Sequence, residues 1–257
     1  MSNTAIYPSL KGRSVFITGG ASGIGSALVE AFYKQGSLVG FVDIDKQTAT
    51  ALQHKLKDGN GMTRPWFRCV DVTNLANLKM ALNDFCKDTG HLDVLVNNVG
   101  NDTRQEPMDI TSEDWRSCMA VNLDAAFFAT QTALKFMKAA NGGSIINMSS
   151  INAINSVATG VPGYIAAKAG LLGLTKAFAR EYGVYNIRVN SLVPGWVATK
   201  RQLSKWLTPE VEEDWMKQVA LKKRIMPEDI AKAALFLAAD DSSMMTNQQI
   251  IVDGGRV

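Results

Sequence analysis

Histidine and cysteine are scarce in this chain of 257 residues, which holds two of the first and three of the second. Cys69, Cys86 and Cys118 are widely spaced and odd in number, so no disulfide framework or thiolate metal knuckle is predicted. His54 and His91 have no partner at metal-ligand spacing, which argues against zinc-dependent chemistry, and no metal is expected. An excess of one charge is missing too. The formal net charge is +3, and the densest basic cluster, Lys222-Lys223-Arg224, is short and lacks interleaved aromatics. No nucleic-acid partner is therefore expected. No apolar run approaches membrane-spanning length, and Met1-Ser2-Asn3-Thr4 is too polar for a signal peptide. The expectation is no membrane partner and a reducing compartment, the cytoplasm.

What is present is alternation. Short apolar runs at 13–18, 38–43, 65–70, 94–97, 144–148, 187–192 and 249–252 read as strands, with amphipathic stretches between them. The segment after Asn74 carries Leu75, Leu78, Leu82 and Phe85 at helical spacing. Alternation of this kind predicts an α/β fold, a doubly wound parallel sheet with helices on both faces. No repeat or long linker divides the chain, so residues 1–257 read as a single domain. Residues 196–226 depart from the pattern: they hold Trp196, Trp206 and Trp215, and a helix start at Thr208-Pro209-Glu210. Ligands sit beyond the carboxyl ends of such strands, so this insertion is predicted to be a helical lid over a substrate.

The first strand leads into Thr18-Gly19-Gly20-Ala21-Ser22-Gly23-Ile24-Gly25 and then a helical pattern. Strand, glycine turn and helix in that order predict a dinucleotide seat. Gly19 permits the turn, Gly23 the approach of phosphates, and Gly25 close helix–strand packing. Asp43 ends the second strand, where a carboxylate can accept from both ribose hydroxyls and repel a 2′-phosphate. Ser22 and Ile44 stand where a phosphate site would want a cation, so NAD is the expected cofactor. Tyr164 and Lys168 share a helix face at i, i+4, downstream of the apolar run ending in Ser149-Ser150. The ammonium is expected to lower the phenol's pKa, making Tyr164 a proton acceptor, with a serine hydroxyl steadying the substrate oxygen.

Thr18–Gly25, Asn97-Asn98-Val99-Gly100, Asn122, Ser150, Tyr164-x-x-x-Lys168 and Pro194-Gly195 together resemble the short-chain dehydrogenase/reductases, from about Leu10 to Gly255. The resemblance implies a Rossmann fold of seven strands in the order 3-2-1-4-5-6-7 and a homotetramer. It implies Tyr164 as acid/base, Ser150 as partner of the substrate oxygen, and Asn122 holding a water that relays protons through Lys168. Asp71 and Val72 would touch adenine, and Val197 and Thr199 the nicotinamide amide and phosphates. Ile24, Asn98, Gly100 and Pro194 would complete the cofactor site. Val99 departs from the family's Asn-Asn-Ala-Gly pattern and is expected to crowd the adenosine side.

Asn101-Asp102-Thr103-Arg104 follows the fourth strand, Asn152 lies two beyond Ser150, and Trp196 and Lys200-Arg201-Gln202 open the lid. Such donors, acceptors and a flat ring suit a sugar. The segments Gly100–Arg104, Pro194–Gln202 and Leu221–Asp229 resemble bacterial NAD-dependent pentose 1-dehydrogenases, which oxidise xylose or arabinose at the anomeric carbon. A pentose oxidised at C1 to an aldonolactone is expected. Polyols or other secondary alcohols, and a catalytically silent NAD-binding regulator, stay open as alternatives.

Overall fold

The computed structural model describes residues 4–57, 64–155 and 158–256. The polar start at residues 1–3 lies outside them. Strands β1 (Ser14–Thr18), β2 (Leu38–Asp43), β3 (Trp66–Cys69), β4 (Val94–Asn97), β5 (Gly143–Met148), β6 (Ile187–Pro194) and β7 (Gln249–Val252) form one sheet in the order β3-β2-β1-β4-β5-β6-β7. All six pairings are parallel. The sheet order and the α/β class are those the sequence predicts. Strand ends move by a residue or two. Arg13 drops out because its amide closes a turn onto Leu10 and its guanidinium is drawn to Asp93 and Asp240. Strand β6 runs on to Pro194, which pairs with Val252 on the edge strand.

Strand periodicity divides the core into two. In β1, Val15 and Ile17 face one side and pack with Leu28, Val29 and Phe32 of α1 (Gly23–Lys34), Leu52 of α2 (Lys46–Lys57) and Ile230 and Leu235 of α9 (Pro227–Ala238). Phe16, between them, turns to the other face, against Leu82 and Phe85 of α3 (Leu75–Thr89), Ala133 of α5 (Ala125–Ala140) and Phe178 of α6 (Pro162–Tyr182). A sheet buried on both faces needs continuous apolar runs rather than alternation, and β1 reads Ser-Val-Phe-Ile-Thr with every residue buried. Burying each of these large side chains contributes about 2 kcal/mol.

Beyond the carboxyl ends lie α7 (Lys200–Lys205) and α8 (Pro209–Gln218), capped by Thr199 and Thr208 as the sequence predicts for the latter. Between α4 (Ser112–Met119) and α5 the helix widens into a π turn over Ala120–Asp124, which carries Asn122. Among the described residues no helix is long and apolar enough to cross a membrane. Of the small residues on α6, Ala167 is buried and Gly170 meets Leu123, while Ala169 and Gly173 are exposed.

Candidate active site

One cleft of about 1220 Å³ runs along the carboxyl ends of the strands and is lined by nearly all the residues singled out from the sequence. Its first half is a cradle made by what is missing. Gly19 and Gly23 have positive φ, at 70° and 54°. A Cβ on Gly25 would sit 1.8 Å from the Gly19 carbonyl oxygen, so no side chain fits there. Asn98 donates to the carbonyls of Thr18 and Gly19, tying the turn to the end of β4. Ser22, at the N-cap of α1, makes no side-chain bond to the helix, which leaves its first amides for an anion.

The Asp43 carboxylate accepts from the Ala21 amide at 2.9 Å and from the Asp45 amide at 3.0 Å. Both oxygens are thus oriented and keep lone pairs for ribose hydroxyls. Ile44 beside it is largely exposed. Across the groove, Asp71 accepts from the amide and hydroxyl of Thr73, with Val72 buried next to it. The cradle fits a dinucleotide: glycine clearance at the phosphates, an acid at the ribose, and an apolar slot beyond. Val99 presses on the glycine turn, since its Cγ2 would lie 2.9 Å from a Cβ on Gly19.

The middle of the cleft holds the polar triad. Helix α6 starts at Pro162, which needs no intrahelical partner for its missing N–H, and Gly163 fits tightly against Cys118. One turn on, Tyr164 and Lys168 emerge on the same face. Ser150 is buried, accepts from the Asn152 amide at 3.2 Å, and hydrogen-bonds the Tyr164 phenol. Ser149 turns away and donates to the Lys168 carbonyl at 2.8 Å. Both serines line the cleft, but the Ser149 hydroxyl is spent on a tie between β5 and α6, and that of Ser150 is the one beside the phenol.

The Lys168 ammonium is buried and donates to the carbonyls of Met148 at 2.9 Å and Val99 at 3.2 Å. Gly100 makes room for it: a Cβ there would lie 3.2 Å from Nζ. Asn122 accepts from the Asn101 amide at 2.8 Å and donates to the carbonyls of Asn101 and Cys118. The π turn is what delivers this amide, because widening the helix frees backbone carbonyls for side-chain donors. Nothing in the residue order signals it.

One expectation is corrected. The ammonium does not lower the phenol's pKa in this structure. Burial pushes Tyr164 up to about 12, with the Ser150 bond pulling it back, Asp102 adding to the rise and Arg201 opposing it. Burial also brings Lys168 down to about 8. Nζ is directed at two carbonyls and lies 5.7 Å from the Tyr164 ring centroid, and the burial that brings it down to about 8 leaves it uncharged before a phenol at about 12 ionises.

The far end is walled by polar side chains. Asp102 pairs with Arg201 at 3.1 Å and accepts from Gln202 at 2.8 Å, and Arg201 also donates to Asn101. The Trp196 indole donates to Gln202 and stands edge-on to Trp215. Arg104 lines the cleft with its guanidinium stacked on Trp206, 4.2 Å from the ring centroid. Asn152 Oδ1 is buried without a partner among the described residues. Pro194 and Val197 line the cleft where β6 ends, and the Thr199 methyl would lie 3.2 Å from a Cβ on Gly23. Trp215 and Arg256 line the cleft without having been singled out as ligands, and no local pattern marks them. Among the described residues no group of three or more His, Cys, Asp or Glu could hold a metal ion.

Residues 19–256 match a family model described as "Enoyl-(Acyl carrier protein) reductase". The chain is 44% identical over 253 residues to a D-xylose 1-dehydrogenase of Caulobacter vibrioides, covering 98% of this chain and 99% of that one. It is 41% identical over 249 residues to a protein of Rhizobium meliloti (strain 1021) named "Probable galactose dehydrogenase GalD", covering 97% and 96%. A solved short-chain type dehydrogenase/reductase from Mycobacterium ulcerans superposes with a TM-score of 0.92 at 27% identity, over 96% of this chain and 90% of the other.

Proposed function

The chain belongs to the short-chain dehydrogenase/reductase family, oxidoreductases that take a nicotinamide cofactor, and we propose that it oxidises an aldose at C1 with NAD, giving an aldonolactone. The observation that carries this reading is the polar wall of Asn101, Asp102, Asn152 and Arg201 in the same cleft as Ser150 and Tyr164. A substrate with several hydroxyls would satisfy the buried Asn152 Oδ1 and the lone pairs left on Asp102; an acyl chain would leave Asn152 Oδ1 unpaired at a cost of about 1–3 kcal/mol. The D-xylose and galactose dehydrogenases among its relatives support an aldose, a pentose such as xylose or arabinose being the first choice.

Nicotinamide bound in the cleft supplies the acceptor for the hydride lost from C1. Tyr164 takes the proton of the C1 hydroxyl onto its phenolate oxygen, and Ser150 donates to the C1 oxygen. With the phenol at about 12, its anion needs a cation as the site fills, and Lys168 is the one at hand. Asn122 holds a water that passes the proton out past Lys168. Asp43 is the ground for NAD over NADP. Residues 196–226 act as a lid within one domain, Trp196 stacks on the sugar, and Arg104 reaches a hydroxyl by leaving Trp206. The exposed Ala169 and Gly173 suit close helix contact in a homotetramer, which sedimentation tests, and a cytoplasmic location suits a nicotinamide enzyme. The main experiment is an aldose panel with NAD: NADH formation from a pentose or hexose is expected, and no turnover of any aldose overturns the reading.

A further inference from the structure

One amide links the loop after β4 to both the start and the first helix of the lid. Gln202 Nε2 donates to Asp102 Oδ2 at 2.8 Å, and Gln202 Oε1 accepts from Trp196 Nε1 at 2.8 Å. Its two ends are thus assigned by their partners: a carboxylate can only accept, and an indole can only donate. Two consequences follow for the substrate wall. The indole N–H of Trp196 is spent on Gln202, so the ring offers a sugar its face and no donor. Asp102, fixed by Gln202 on one oxygen and Arg201 on the other, keeps lone pairs aimed by two donors from α7.

We propose that Gln202 is the positioning residue of the substrate wall, holding the Asp102 carboxylate and the Trp196 ring in the relative placement that a polyhydroxylated substrate requires. The inference rests on the sugar reading above and adds the residue that makes its two halves one unit. Other links are weaker candidates for the task. Arg201 is nearly half exposed at its side chain and shares its guanidinium with Asn101, and Trp215 touches Trp196 only edge-on. The amide is also anchored locally, because its own backbone N–H donates to the Thr199 cap at 3.2 Å. Its side chain therefore leaves from a fixed point.

The test uses the reversibility of an amide–carboxylate pair. In Gln202→Glu the new carboxylate still accepts from Trp196 but repels Asp102. In Gln202→Glu/Asp102→Asn the Asn amide donates to Glu, restoring the bridge with its polarity reversed. Gln202→Met removes both arms at similar volume. Loss of a hydrogen bond to a charged group corresponds to about tenfold or more. Gln202→Met and Gln202→Glu are each expected to raise the aldose KM at least tenfold with kcat changed less than threefold. The double variant is expected to recover at least half of the Gln202→Glu defect on a logarithmic scale. A simple secondary alcohol without neighbouring hydroxyls, where turned over, serves as control and is expected to keep its KM. Wild-type turnover of aldoses with an unchanged KM in Gln202→Met overturns the inference, as does a double variant no better than the product of the singles. Absence of any aldose turnover in the wild type overturns the sugar reading instead. Circular dichroism melts identify a variant that fails to fold, in which case the Glu and double variants decide.

Discussion

The two ends of the cleft are made by opposite means. At the adenosine end, shape comes from backbone and from absent side chains: Gly19, Gly23 and Gly25 clear a path, and one amide of Asn98 pins the turn. At the substrate end it comes from long polar side chains that meet across about a hundred positions, Asp102 with Arg201 and Gln202, Arg104 with Trp206. The glycines of the first end admit no side chain without a clash, whereas the second end is built of side chains that can be exchanged one at a time. The polar triad sits at the seam, with Ser150 on the strand side and Tyr164 and Lys168 on α6.

The largest break in that comparison should come at the seam. Tyr164→Phe removes the only phenol in the cleft and keeps the ring, so kcat should fall by about 10³-fold or more while the melting temperature holds. A rate within tenfold of wild type would remove Tyr164 from the chemistry. Ser150→Ala should cost about 10²-fold in kcat. Ser149→Ala should instead show itself in stability, since its hydroxyl serves only the Lys168 carbonyl.

Next in size is the cradle. A methyl at Gly25 collides with the Gly19 carbonyl oxygen at 1.8 Å and with the Asn98 amide nitrogen at 2.9 Å, neither of which can give without moving β1 or β4. Gly25→Ala should cost several kcal/mol in stability, read by denaturant unfolding, and weaken nicotinamide dinucleotide binding at least tenfold by calorimetry. If that variant binds as well as wild type, the cradle is less constrained than the far wall, and the comparison reverses.

Legibility divides along the same line. Steric requirements leave a mark in residue order, because only glycine fits and it must fall at fixed offsets from a strand end. The turn was readable for that reason, Asp43 by its place at a strand end, and the Tyr164–Lys168 pair by its shared helix face. So was the sheet order, through the family resemblance. The π turn that presents Asn122 was not, since a one-residue widening changes no pattern of apolar spacing. Nor was the service of Gln202, whose partners lie 100 and 6 residues away. The direction of the Tyr164 shift also escaped, because i, i+4 spacing tells that Lys168 is near and not that its ammonium is turned to two carbonyls.

That burial yields a pH signature of a third size. Burial brings Lys168 down to about 8 in the folded chain against the ordinary lysine value of 10.5, so the unfolded chain holds the extra proton between those values. Stability from this group is fully present above 10.5 and is lost as pH falls through 8. The difference in unfolding free energy between wild type and Lys168→Met should therefore move by up to about 3 kcal/mol in favour of wild type as pH rises from 7 to 10.5. A flat difference would mean that the ammonium is solvated.

The smallest expected effect tests the adenosine end by chemistry rather than shape. Asp43→Asn keeps an acceptor oxygen for the Ala21 amide and removes the charge that a 2′-phosphate would meet. It should leave the sheet intact, since the strand pairing of Asp43 is made by its backbone with Cys69. The NADP to NAD ratio of kcat/KM should rise about tenfold, chiefly through a lower KM for NADP. The gain is bounded because Asp45, also in the cleft and two residues on, keeps a second carboxylate there, bound to the amide and hydroxyl of Thr48. Adding Asp45→Asn, which preserves a side-chain cap for Thr48, should raise the ratio further. A ratio unmoved by both changes would mean that neither acid discriminates between the two cofactors.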